Sequence, residues 1–504
     1  MTLNLKNKSI FRQVLLGLFL VFLSTLSAGL IVFSPSSIVA RFAMIIALCF
    51  AIVLAWGLRA EANKVPDKFV FGLMMSVVVL SVAWPRYIFF SAGSLPKVNP
   101  YTLSLIVGLS LILLLSINMP DFSRRLAQSI KNGGVIFSLA LIWLLWRLFA
   151  NFFGEYPIFS SLDYLRESIY LSSFLLFGVA IASYDDGPKV VLRLIMLVAF
   201  FVGSAGLIEA FQQHNIFVGF AAQDADGGLA KVIESITKEK IRSGAYRAQS
   251  TFDHPIVFAQ FFSALVPLAF YSIVYEKKLF WRFLSITLTP IAFLAILESG
   301  SRAGIASLVV AASFWGMFFW FRTIVQGGVS KFLAILSLPL FGLGVAFAVN
   351  VIQNLALGGS EIESGSSAWR MVMINSGINT LSSSPFWGFG QGMAISKAVI
   401  VNPSGIPTID SYLLTLAIDS GYVGLLLFLM LIFTFVYKGF KSVTANNADD
   451  AMFVGACVAG VMAIITTFTV LSITSNMTFL WILITATFPY INKNRHSKFP
   501  EEFA

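Results

Sequence analysis

Long apolar stretches, many of eighteen residues or more, recur along the chain between short polar segments. They show neither the alternation of a half-buried strand nor the single apolar stripe of a helix facing water. Each such stretch can cross a hydrocarbon layer of about 30 Å as a helix. The pattern predicts fourteen spans, near 14–33, 42–57, 69–90, 101–118, 134–153, 163–183, 190–211, 254–275, 280–298, 303–321, 332–350, 411–437, 451–472 and 476–491. Continuous apolarity excludes a membrane β-barrel. The expected fold class is an all-α integral membrane protein with about 12–14 transmembrane helices and two long loops outside the membrane.

Those loops are Gln212–Asp253 and Val351–Ile409. The first is expected to hold a short helix, Leu229–Ile241, and the second another, Ala368–Leu381, stopped by Ser382-Ser383-Ser384-Pro385. The organisation then reads as helices over 1–211, a loop over 212–253, helices over 254–350 that include the Ser301-Arg302-Ala303-Gly304 turn, a large loop over 351–410, helices over 411–491 and a tail over 492–504. The start, Met1 to Arg12 followed by Val14 to Phe33, has the outline of a signal peptide. Its apolar run is long and has no convincing cleavage site, so it is read as the first transmembrane helix.

Composition changes the picture in one respect. With 58% apolar and 12% charged residues, a water-facing surface of mixed charge cannot be built, and the solvent must be lipid. The net charge of +10 does not point to nucleic acid, because the Lys and Arg are scattered between spans. Of the 34 basic residues, 21 fall in alternate segments between spans or at the span ends beside them. That asymmetry sets those segments and both termini in the cytoplasm, and the two long loops on the other face. Cys49 and Cys457 lie inside apolar runs and imply neither a disulfide nor a metal site.

Charges within spans are few. Arg147, Arg166, Glu167, Arg193 and Glu209 fall near predicted ends, and the last seven spans are read as free of mid-membrane charge. Ion-coupled pumps place ionisable groups near the midplane, so this pattern counts against one.

The outer face is richer. Arg242 and Arg247 precede Ser250-Thr251-Phe252-Asp253-His254-Pro255, Arg302 sits in Glu298-Ser299-Gly300-Ser301-Arg302-Ala303-Gly304, and Arg370 follows Ser364-Gly365-Ser366-Ser367. Three guanidinium groups at helix entrances on one face suit an anion, since their forked donors match phosphate oxygens and stay charged. Each arginine taken singly is equally an anchor at the headgroup level. Asp410-Ser411 is followed nine residues later by Gly421-Tyr422-Val423-Gly424. The acidic pair is most simply a helix cap, and the same carboxylate also suits proton abstraction from a hydroxyl. The glycines allow a broken helix to pack closely on a neighbour. His214 and His254 read as solvated or capping histidines, and Asp224-Ala225-Asp226-Gly227-Gly228 as a turn that lacks the later ligands of a cation loop. Sugar stacking is expected from Trp369, Phe386 and Trp387.

Arg247 to Pro255, the Ser301-Arg302-Ala303-Gly304 turn, Arg370 through Pro385-Phe386-Trp387-Gly388-Phe389-Gly390, and the Asp-Ser-x9-Gly-x-x-Gly run resemble, in order and spacing, the signature blocks of the O-antigen ligase and polysaccharide polymerase superfamily. The resemblance covers roughly residues 240 to 440. It implies a metal-independent, inverting glycosyltransferase without a cofactor, working on the periplasmic face of the bacterial inner membrane. The donor it implies is a glycan on undecaprenyl diphosphate, and the acceptor a glycan or a lipid. A flippase and a chain-length regulator are the implied companions in the bilayer, and nucleic acid is not. Arg247 and Arg302 match positions expected to hold the diphosphate, and Asp410 the position of the base; Arg370, Ser411, Trp369 and Trp387 are the expected substrate contacts. Ligases of this group carry His followed by Asn, Ser or Gln where this chain has Asp410-Ser411, a departure that favours a polymerase of surface polysaccharide repeats. The rivals are a ligase acting on lipid A core or protein, and a flippase, which would show short loops on both faces.

Overall fold

The computed structural model describes residues 67–88, 99–220, 233–234, 236–242, 244–326, 361–398, 408–445 and 447–491. The spans expected near 14–33, 42–57 and 332–350 lie outside the described residues. Among the described residues, nine helices are long and apolar enough to cross a membrane. The protein is an all-α integral membrane protein, as the apolar pattern expects.

The chain forms two compact units, one of residues 1–80 and 89–128 and one of 81–88 and 129–504. In the first lie most of α1 (Asp67–Ala83), α2 (Pro100–Asn118) and most of α3 (Pro120–Gly133). Asn99 caps α2, its side chain accepting from Tyr101 N–H at 2.9 Å. The segment around Arg124, Arg125 and Lys131, expected only as a polar connection, is the helix α3.

The second unit holds α4 (Val135–Ala150), α5 (Pro157–Glu167), α6 (Phe174–Ala182), α7 (Gly187–Gln212), α8 (Pro255–Tyr275), α9 (Leu279–Glu298) and α10 (Arg302–Gln326). After them come α11 (Glu361–Leu381), α12 (Ala394–Ala398), α13 (Tyr412–Ala445), α14 (Ala448–Phe468), α15 (Met477–Ala486) and α16 (Phe488–Ile491). A π turn, Ser168–Ser172, joins α5 to α6 into one span that starts earlier than the apolar run alone suggests. Of the predicted helix Leu229–Ile241, the described part is helical at 233–234 and 236–237. Its end is not: Ile241–Arg242 pairs antiparallel with Ala245–Tyr246 through a turn where Gly244 has φ +79°.

Helix α8 lies at the centre of this unit, packed on α9, α10 and α14. Lipid gives helices no hydrophobic reason to associate, so small residues and hydrogen bonds do the joining. A Cβ on Gly304 would sit 2.4 Å from that of Ala259, and Ser263 Oγ donates to Gly304 O at 2.8 Å across the α8–α10 contact.

Helices α7 and α8 run antiparallel, and their two ends are tied differently. At one end Arg193 grips Glu276, through Nε at 2.7 Å and Nη2 at 3.0 Å. At the other, Glu209 holds the segment that leads into α8. Arg247 and Arg302 lie at this second end.

Candidate functional site

The Arg247 segment is hung on a buried carboxylate. Glu209, at the end of α7, is fully enclosed and accepts from Gln249 N–H (3.0 Å), Ser250 N–H (2.7 Å) and Tyr246 Oη (2.9 Å). Ser250 takes φ +52°, a conformation most residues avoid, and its carbonyl accepts from Asn215 Nδ2 at 3.1 Å while its hydroxyl donates to Val202 O at 2.8 Å. Hydrogen bonds of this number fix the backbone that carries Arg247.

This segment is knitted to the turn between α9 and α10. Ala248 N–H donates to Glu298 O at 3.0 Å, and Arg247 Nε donates to Ser299 O at 2.8 Å. Gly300, with φ +56°, leaves room for the Arg247 side chain to lie across it. Ser301 then caps α10, its Oγ accepting from Gly304 N–H at 3.1 Å, and Arg302 opens that helix. Arg247 and Arg302, 55 positions apart in sequence, therefore belong to one built turn.

The local field is positive. Lys240, whose carbonyl accepts from Arg247 N–H at 2.9 Å, has its pKa lowered by burial and by Lys238 and Arg247. The pKa of His254 is pushed down to about 4, first by burial and then by Arg247 and Lys240. A neutral His254 is what the helix requires, because its Nδ1 accepts from Ile256 N–H at 3.1 Å and caps α8. Both the field and the fixed donors suit an anion. Lys240 escaped the sequence reading, although the Lys238-Glu239-Lys240 run shortly before Arg247 was its available signal.

Asp410 and Ser411 form a second entrance. Ser411 caps α13, with Oγ facing Leu414 N–H at 3.4 Å and its carbonyl taking Thr415 N–H at 3.0 Å. Asp410 is released from capping: its exposed carboxylate accepts from Thr408 Oγ1 at 2.8 Å. Its backbone N–H meets Met373 Sδ at 3.1 Å, which sets Asp410 against α11. Arg370 precedes Met373 by three positions, and so lies on the same side of α11 one turn away. Trp369 is its neighbour on α11, with a side chain outside the described residues.

Below this entrance α13 is broken at Gly421, with φ +73° and ψ +176°. The break frees carbonyls that a continuous helix would pair internally, and the 385–394 segment takes them up. Phe389 N–H donates to Ile418 O and Gly390 N–H to Asp419 O, both at 2.9 Å, while Trp146 Nε1 donates to Ser420 O at 3.0 Å. In return Tyr422 N–H donates to Pro385 O at 2.7 Å. A Cβ at position 421 would meet Phe386 O at 2.0 Å, so only glycine fits there.

Two acidic residues hold the segment from beneath. Asp419 is 3% exposed and accepts from Ala394 N–H (2.9 Å) and Gly392 N–H (3.2 Å). Arg147 Nη2 donates to Gln391 Oε1 at 2.6 Å and to both oxygens of Glu167, while Gln391 Nε2 donates back to Glu167. Asp419 corrects the expectation that the last seven spans lack charge, since it lies two turns inside α13. It sits there because the break at Gly421 brings backbone N–H groups to it. The Trp387 ring stacks on Trp146 (5.0 Å) and Phe153 (4.2 Å), with Phe149 edge-on. It fastens the turn to α4, and the adjacent aromatic left outward is Phe386, 65% exposed.

The structure thus joins Arg247 with Arg302, sets Asp410 beside Ser411 and against α11 one turn from Arg370, and puts Trp387 in a separate aromatic contact. One connection, 469–476, touches both entrances: Leu471 O accepts from Tyr412 N–H at 3.1 Å, and Ser475 Oγ donates to Asp253 Oδ2 at 2.9 Å. Among the described residues no group of three or more His, Cys, Asp and Glu side chains is placed to hold a metal ion.

Residues 287–429 match the family model described as O-Antigen ligase. That range includes Arg302, Arg370, Asp410 and the Gly421 break, and leaves Arg247 outside. Among curated proteins none matches the chain.

Proposed function

We propose that this chain, which carries an O-antigen ligase domain over residues 287–429 within an all-helical membrane protein, is a polymerase of lipid-linked polysaccharide repeats. The observation that carries the reading is the Asp410 entrance, an exposed carboxylate at the mouth of α13 with Arg370 one turn from its contact on α11. Ligases of the superfamily have histidine there, and a carboxylate performs the same proton removal.

In the proposed reaction a hydroxyl of one repeat unit attacks the anomeric carbon of another, on the face opposite the diphosphate. Asp410 accepts the hydroxyl proton as the new sugar–oxygen bond forms. The bond from the anomeric carbon to the diphosphate oxygen breaks, and the leaving diphosphate keeps the electron pair. Arg247 and Arg302 hold that growing charge with guanidinium groups fixed before the reaction, and Arg370 adds a third. One displacement inverts the anomeric centre and calls for no metal. Ser411 caps the helix beside the base, and Phe386 offers an exposed ring for sugar stacking, a role proposed for Trp369 as well. The donor lipid is undecaprenyl diphosphate, the active face is periplasmic, and both termini are cytoplasmic. A flippase delivering the units and a chain-length regulator are the proposed partners.

The family description itself favours a second reading, transfer of finished glycan to a lipid acceptor. Purified protein in detergent, given lipid-linked repeat units and a metal chelator, separates the two. A ladder of lipid-linked oligomers is expected, unchanged by the chelator. Transfer only to an added lipid acceptor would make the protein a ligase, and loss of all product in chelator would remove the metal-free displacement.

A further inference from the structure

At the end of the second unit away from the arginine turn lies a cavity of about 280 Å³, between the start of α7, the end of α8 and the start of α14. Its inner charges are all paired within the wall. Lys189 Nζ is 2.8 Å from Asp449 Oδ2 and 3.4 Å from Asp450 Oδ1, Arg193 is paired with Glu276, and Tyr271 Oη donates to Asp449. Three charged groups lining the cavity have no ion-pair partner among the described residues: Asp186, Lys277 and Lys278, all exposed at its mouth. Inside, Ser272 is 2% exposed and its hydroxyl has no hydrogen-bond partner.

The unmatched set is two cations, one carboxylate and one buried hydroxyl. A simple anion would leave Asp186 unanswered, and a simple cation would leave the lysines. A headgroup carrying both a phosphate and a primary ammonium answers all three, with Ser272 available to a phosphate or ester oxygen. The surroundings identify a membrane source. Val274, Leu279, Phe280 and Phe283, beside the two lysines, are each more than 60% exposed and so face lipid tails. The wall continues through the apolar side chains of Leu192, Met196 and Leu268, which suit the first carbons of an acyl chain.

We propose that this cavity binds the headgroup of an ethanolamine phospholipid, the phosphate on Lys277 and Lys278 and the ammonium on Asp186. The site is separate from the proposed glycosyl transfer and does not depend on it. The test is native mass spectrometry of the full chain in detergent, titrated with an ethanolamine phospholipid or with a glycerol phospholipid of the same acyl chains. The ethanolamine lipid is expected to bind about tenfold more tightly, as one charge-assisted contact allows. Asp186→Asn should bring the two lipids level, and Lys277→Ala with Lys278→Ala should weaken both by about tenfold or more. These residues are exposed, so the variants retain the fold. Added soluble phosphoethanolamine separates the sources: no competition upholds the lipid, and full competition at equal concentration overturns it in favour of a ligand drawn from water. Equal affinity of the wild type for the two lipids, or undiminished binding by the lysine variant, would also overturn the assignment.

Discussion

The two entrances of the candidate site are built on opposite plans. At the arginine turn the charged groups are tied down: Glu209 receives three hydrogen bonds from the segment around Arg247, and Arg247 itself is bonded to Ser299 O. At the α13 mouth the structural work is delegated to neighbours. Ser411 does the capping, Asp419 and the Arg147–Glu167–Gln391 cluster hold the 385–394 segment, and Asp410 stays exposed. The contrast fits a division of labour in which a leaving group needs charge already in place, and a base needs access and freedom to change protonation.

The sharpest way to break the comparison is to remove the fixed charge. Arg302→Ala is expected to cut turnover by about a hundred- to a thousandfold with the protein inserted normally, measured as glycan formed per unit time from lipid-linked donor. Arg302→Lys should recover part of that loss, because the charge returns without the forked donors. A structural anchor alone would leave turnover near the wild-type value.

Gly421→Ala probes the other entrance through its support. The left-handed backbone alone costs about 1–3 kcal/mol in a residue with a Cβ, and the contact with Phe386 O adds to it. A lower melting temperature and earlier proteolysis within 385–398 are expected. An unchanged melting temperature would mean that the helix break is not what secures the segment.

Glu209→Gln is a milder change that tests whether Arg247 acts through its tether. About a tenfold rise in KM for the lipid-linked donor is expected, with kcat less affected. A fall in kcat alone would give Glu209 a different role.

The smallest expected effect is on acid stability. The unfolded His254 protonates near its ordinary value of 6.5, whereas the folded side chain resists protonation until about 4. Stability should therefore decline as pH falls from 6.5 towards 4 and be insensitive to this group above that window. His254→Asn, which keeps an acceptor for the α8 cap, should flatten the decline when melting temperature is followed against pH.

The spans were legible because lipid permits few alternatives: an apolar run of that length must satisfy its own backbone, and a helix does so. The blocks around Arg302, Asp410 and Gly421 were legible because their spacing is local. What could not be read were side chains whose meaning depends on distant partners. Glu209 looked like a charge near a span end, and Asp419 went unnoticed, since the N–H groups that justify burying them come from segments some forty and twenty-five positions away. Trp387 was expected to stack on sugar and packs on Trp146, a partner 241 positions earlier that no local pattern announces. The lining of the cavity at the other end is likewise drawn from several helices, each unremarkable in sequence.

The assignment of Asp410 as the base of a polymerising transferase is tested most directly by the length distribution of lipid-linked glycan in a deletion strain complemented with wild type or with Asp410→Asn. Wild type should restore long chains, and the variant, inserted to the same level, should leave single repeat units, with turnover reduced by about a hundredfold or more. Full-length polymer from Asp410→Asn, or long chains that accumulate on the carrier in the deletion strain itself, would contradict it.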